Sequence, residues 1–121
     1  MKNRYLNTWV EYEGQPYYVM KPFRIGGGYD LFPGDITNSM KVLRNMSAEL
    51  VHTLKKLYPP TFSNGETVLY KACTAKYGYK TELVTIIDDN RQFRVPYPYI
   101  IELKSGKRDT ASPFELSHID L

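Results

Sequence analysis

Gly65-Glu66-Thr67-Val68-Leu69-Tyr70-Lys71-Ala72-Cys73-Thr74 reads as a glycine turn feeding a strand: Val68, Tyr70 and Ala72 fall on one face, Thr67, Leu69 and Lys71 on the other. Downstream, the loop Ala75-Lys76-Tyr77-Gly78-Tyr79 leads to a second strand, Thr81 to Ile87, and Asp88-Asp89-Asn90 makes a tight turn into a short strand, Arg91 to Val95. Pro96-Tyr97-Pro98-Tyr99 interrupts pairing before a last strand, Ile100 to Leu103. Residues 62–104 therefore predict a small antiparallel barrel. From Ser105 onward Gly, Lys, Arg, Asp, Ser and Pro dominate, which predicts a loosely held tail over 105–121.

Upstream, Thr8 to Tyr12 and Tyr17 to Met20 flank Glu13-Gly14-Gln15-Pro16 and predict a hairpin with Trp9 or Val10 facing inward. Gly26-Gly27-Gly28 opens a stretch to Asp35 that reads as a loop, since consecutive glycines lose the most entropy in any regular element. Met40, Leu43, Met46, Leu50, Leu54 and Leu57 then recur at three- and four-residue steps. This spacing predicts a helix capped by Thr37, Asn38 or Ser39 and stopped by Pro59-Pro60, with a weak point at Asn45 to Ser47. The expected fold class is α+β: an N-terminal β-hairpin, one central helix and a C-terminal barrel, in one domain over residues 1–104. No internal repeat is visible.

Tyrosine is the unusual entry in the composition, eleven residues beside five Phe and one Trp, and it points to an interaction surface or to a strand-rich chain. The net charge is +3, and the excess lies in residues 1–60, where Lys2, Arg4, Lys21, Arg24, Lys41, Arg44, Lys55 and Lys56 face only five acids. The single cysteine rules out an internal disulfide and suits a reducing compartment, so a cytoplasmic location is expected. The first residues lack the apolar core of a signal peptide, and no apolar run approaches the roughly 18 residues that span a bilayer.

Bond-making chemistry is poorly provided for. Cys73 sits mid-strand, far in sequence from His52 and His118, and reads as a buried structural thiol. One cysteine and two isolated histidines do not make a zinc site. Gly26-Gly27-Gly28 lacks the Lys-Ser or Lys-Thr of a phosphate loop, and Asp88-Asp89 reads as a turn rather than a cation site. The expectation is a binding protein with no catalytic residue, no metal and no cofactor.

The order of Gly65-Glu66-Thr67-Val68, an aromatic loop, a long strand, an acidic turn and Phe93-Arg94-Val95 crossing back resembles an SH3-like barrel of the Tudor or KOW kind. The resemblance covers residues 65–103. It implies that Tyr70, Tyr77, Tyr79, Phe93 and Tyr97 gather at one end of the barrel, where aromatic faces stack on bases or enclose a cationic side chain. In style the chain is also similar to small phage-encoded accessory proteins that bind host machinery or DNA, which implies action in the host cytoplasm or nucleoid. Two functions follow. The first is nucleic-acid binding through Lys41, Arg44, Lys55 and Lys56 on the helix, with Lys21 and Arg24 nearby. The alternative is a protein-binding adaptor or inhibitor, in which the tyrosine surface docks on a partner.

Overall fold

Glu13 and Gly14 both take positive φ, 51° and 78°, so the chain reverses in two residues and returns with a twist that suits the flanking strands. The protein's computed structural model describes residues 4–22, 27–34, 41–74 and 78–119, with 72–74, 78 and 79 in backbone only. It builds outward from this hairpin of β1 (Trp9–Tyr12) and β2 (Gln15–Met20). β3 (Gly28–Pro33) pairs with β2, and β4 (Leu43–Ser47) pairs with β3. After one helical turn, α1 (Ala48–Val51), the strand β5 (Lys55–Leu57) returns to pair with β1. The sheet order is β4-β3-β2-β1-β5, antiparallel throughout.

The second half has the same connectivity. β6 (Thr67–Thr74), β7 (Gly78–Asp89), β8 (Tyr99–Glu102) and β9 (Arg108–Ala111) meander, and β10 (Leu116–Ser117) returns to pair with β6. From its far edge this sheet runs β9-β8-β7-β6-β10. The turn over 112–115 stands where α1 stands in the first half, and both are opened by a serine: Ser47 Oγ accepts from Leu50 N at 3.2 Å, Ser112 Oγ from Phe114 N at 3.1 Å. The chain thus carries one topology twice, without a visible repeat in its sequence.

Each half buries its own core. Val10, Val19, Leu31 and Val51 pack with Tyr17 and Tyr29 in the first. Val68, Val84, Ile86 and Ile101 pack with Phe62, Tyr99 and Leu116 in the second.

The structure overturns the α+β assignment, because the central helix is absent. Asn45 sits at φ 54°, a left-handed conformation that asparagine tolerates but a helix does not, and Ser47 is extended before capping a single turn. The three- and four-residue spacing reflects a strand, a helical turn and the loop after it, which share one core: Leu43 and Met46 come from β4, and Leu54 follows α1. Leu50, expected in the core, is 37% exposed, whereas its neighbour Val51 is fully buried. The expected caps Thr37, Asn38 and Ser39 lie outside the described residues.

Three further segments differ from expectation. The glycine stretch ends in β3, and Gly28 is there because a Cβ would meet the Met46 carbonyl oxygen at 2.5 Å. Arg91 to Val95 is no strand: Arg91–Phe93 forms a 3₁₀ turn ended by Arg94 at φ 55°, and Pro96 and Pro98 have no N–H to offer a partner strand. Residues 105–119, tail-like in composition, supply β9 and β10.

Two substitutions check this core. Val51→Ala should cost about 2 kcal/mol in a denaturant titration, from lost methyl burial plus a cavity, and Leu50→Ala less than about 1 kcal/mol. Tyr99 is fully buried and its hydroxyl accepts from Phe62 N at 3.2 Å, so Tyr99→Phe should cost about 1–3 kcal/mol by stranding that N–H.

Candidate binding site at the junction of the two halves

Trp9-Val10 and Tyr17-Tyr18-Val19 are buried without alternation, which means that the β1–β2 hairpin is covered on both faces. Val10, Tyr17 and Val19 point into the first core. Trp9 and Tyr18, opposite each other in register, point away from it and meet the second half. The Trp9 ring lies 4.8 Å from Phe114, edge-on, and 5.1 Å from Tyr18. A Cβ on Gly34 would stand 2.7 Å from the Trp9 ring and 3.2 Å from Phe114, so only glycine lets the chain pass here.

Two hydroxyls tie the halves together across this contact. Ser112 Oγ donates to the Gly34 carbonyl, and the Tyr97 hydroxyl donates to the Pro33 carbonyl at 2.7 Å. Burial, reinforced by the Glu115 charge, pushes the Tyr97 phenol up to about 12.

Beside the contact is a groove of about 210 Å³. Trp9, Tyr18, Pro59, Pro98 and Pro113 are among its walls, and Asn7, Thr61 and Arg91 add polar groups. Arg91 is held in place by Asp89, with Nε at 2.8 Å and Nη2 at 2.7 Å from Oδ2. Burial works to raise the Asp89 carboxyl, but the hydrogen bonds from the Arg91 side chain and N–H prevail and hold it below its ordinary value.

Chain segments that contribute to the groove also carry exposed apolar side chains. Phe93 is 67% exposed, on a turn fixed at several points: Asn90 N donates to the Pro98 carbonyl at 2.9 Å, Arg94 N to Arg91 at 3.0 Å, and Pro96 and Pro98 are buried. Val95, which follows, also lines the groove and is itself exposed. Tyr58, next to the lining residue Pro59 in the chain, is 88% exposed. The Arg94 guanidinium makes no ion pair among the described residues and lies near enough to Tyr18 to offset part of the rise that burial imposes on that phenol.

The residues singled out from sequence fare unequally. Without the helix there is no basic helix face. Arg44 Nη1 pairs with the buried Asp30 carboxylate at 2.7 Å, which also accepts from Asn45 N at 3.0 Å. Lys56 Nζ donates to the Arg4 carbonyl at 2.6 Å and sits 4.8 Å from the Tyr5 ring centre. Lys21, Lys41 and Lys55 are exposed, and Arg24 lies outside the described residues. Of the aromatic set, Tyr70 is a core residue, Tyr97 a tether and Phe93 well exposed. Tyr77 lies outside the described residues, as do the side chains of Tyr79 and Cys73. Trp9, Tyr18 and Tyr58 were not singled out as site residues from the sequence, although the unbroken apolar pairs of the first hairpin were a signal of two-sided burial.

His52 and His118 are also engaged within the chain. Tyr5 stacks on the His52 ring at 4.9 Å, and the Tyr29 hydroxyl is 3.3 Å from Nε2. His118 Nδ1 is 2.6 Å from Glu66 Oε2. Among the described residues no group of three or more His, Cys, Asp or Glu is arranged to hold a metal ion, and no helix is long and apolar enough to cross a membrane. In comparisons with known proteins, the chain matches no family model, no curated protein and no solved structure.

Two outcomes test these assignments. Because the folded state holds the Tyr97 proton more tightly than the unfolded chain, its contribution is complete below about pH 10 and lost as pH rises toward about 12. Tyr97→Phe should flatten that alkaline loss of stability in pH-dependent melts. Arg44→Ala removes one charge-assisted hydrogen bond from a buried carboxylate and should cost about 1–2 kcal/mol, discounted for the exposure of Arg44, while Lys41→Ala and Lys55→Ala stay within about 0.5 kcal/mol.

Proposed function

We propose that this protein is a non-catalytic, cytoplasmic protein-binding module whose contact surface is the rim of the junction groove. The observation that carries the reading is Phe93, 67% exposed on a pinned turn. A large apolar side chain held rigidly in water costs the free protein hydration free energy but loses little conformational freedom on binding, which is the profile of an interface hot spot. Val95, two residues on, and Tyr58, next to Pro59, are further exposed apolar side chains on segments that line the groove. The strand order, with the fifth strand of each half beside the first, supports describing each half as an SH3-like module, a scaffold that does not by itself choose a ligand.

Nucleic-acid binding is the second reading, and the exposed Lys21, Lys41 and Lys55 favour it. It ranks lower because Arg44 and Lys56 serve the chain itself. Affinity capture from a nuclease-treated lysate, followed by titration of the identified partner, tests the order of the two. Phe93→Ser should weaken that partner about 30-fold or more while the melting temperature stays put, as expected for an exposed hot spot. Partner affinity unmoved by Phe93→Ser, or tight nucleic-acid binding that falls steeply with salt, would reverse the order.

A further inference from the structure

The doubled topology makes one contact inside the chain and leaves both sides of a second, equivalent contact unused at its surface. In the first half, the outer face of the opening hairpin carries the cross-strand pair Trp9–Tyr18, and the serine-opened turn over 112–115 covers it with Phe114, 4.8 Å from Trp9. In the second half the same position is held by Leu69–Leu83. Leu69 pairs with Leu83 on one side and with Ser117 of the fifth strand on the other, as Trp9 pairs with Tyr18 and with Leu57. This face is open: Leu83 is 42% exposed.

The turn that answers to 112–115 is open as well. Ser47 begins α1 as Ser112 begins its turn, and the N–H that each serine holds belongs to Leu50 in one and to Phe114 in the other. Phe114 packs on Trp9, whereas Leu50 is 37% exposed and α1 rests on β3 and β4 of its own half. Both Leu50 and Leu83 remain exposed, so neither covers the other within one chain.

The open face also has the shape to take a side chain. Beside Leu83 lies a groove of about 380 Å³ whose walls include Thr67, Thr85 and Leu103, with Glu102 and Lys104. One carboxylate and one ammonium leave these walls without net charge, which gives a phosphate backbone little to hold. Leu83 and Leu103 are then its apolar contacts.

We propose that the chain associates head to tail with a second copy of itself, the α1 turn of one copy packing Leu50 on the Leu69–Leu83 pair of the next. The inner junction selects this occupant, because it shows which kind of turn covers this kind of face. The two surfaces differ, so the contact is heterologous and every added copy offers a new open face. Phe93 takes no part in it, and the association is independent of the partner reading above. The inner contact is helped by residues 58–66, which join the halves, since a short linker holds its ends at an effective concentration in the millimolar range. Without that tether the contact between copies fills at about 0.1–1 mM.

Sedimentation equilibrium of the intact protein from about 10 µM to about 1 mM tests this, and the average mass should rise from one chain to more than about two. Leu50→Lys spoils the turn and Leu83→Lys spoils the face. Each variant should stay monomeric through about 1 mM with a melting temperature close to the parent's, because both side chains are exposed. Mixed in equal parts, the two variants should form a two-chain complex and nothing larger, since the first keeps its face and the second its turn. Leu50→Ser and Leu83→Thr are read in the same way where a lysine variant melts early. A parent protein that is monomeric throughout overturns the proposal. So does association that survives in either variant, as a face-to-face dimer would in Leu50→Lys, or a mixture of the two variants that stays monomeric.

Discussion

Trp9 must be buried, and the first half cannot bury it alone. Its side chain leaves β1 on the face away from the first core, so it is dry only because Phe114, Pro113 and the segment over 112–115 cover it from the second half. Several otherwise arbitrary features follow. Gly34 is glycine so that the chain can pass the indole, and Ser112 and Tyr97 donate to two successive carbonyls, Gly34 and Pro33, that would otherwise lose water without compensation. The prolines at 59, 98 and 113 wall the same region without adding N–H groups that need partners.

Several strands joined by short turns were legible in the sequence, whereas β9, polar despite its short turn from β8, and the strands held by distant partners were not. β1, β2, β6 and much of β7 show alternation or a two-residue turn, signals contained within a few residues. β4 and β5 answer to β3 and β1, so their apolar residues are spaced by what they meet across the sheet. Met46, Leu50 and Leu54 then imitate a helix by coincidence of spacing. β3 was hidden for a related reason: the glycine that argues against a strand in isolation is what lets its backbone approach Met46. The doubled topology was invisible because a shared connectivity constrains the pairing of strands and leaves most side-chain identities free.

The candidate site was legible only in part, since a formal charge does not say whom it serves. Arg44 and Lys56 count as free cations in a sequence, yet one neutralises a buried aspartate and the other closes on Arg4 and Tyr5. Tyrosines mislead similarly, as the hydroxyl that makes Tyr97 and Tyr99 look suited to a wet surface is instead satisfied inside the fold. Phe93 has no polar handle with which to disguise exposure, which makes it the more informative member of the set.

Doubling a small sheet also explains why a groove forms where it does. The cross-strand pair Trp9–Tyr18 on the outer face of the first hairpin has its counterpart in Leu69–Leu83 on the second. The second pair stays at the surface, with Leu83 42% exposed, while the first is covered. Covering one outer face but not the other brings the loops of both halves to a single seam: the segment after β5 from one side, the 3₁₀ turn from the other. Two convex modules that meet leave a cleft at their edge, and beside Trp9 and Tyr18 its walls come from loops outside either core. Substitutions there can alter shape and charge while Val10, Val68 and their neighbours hold the sheets, so the seam is where this architecture can vary its surface without losing its fold.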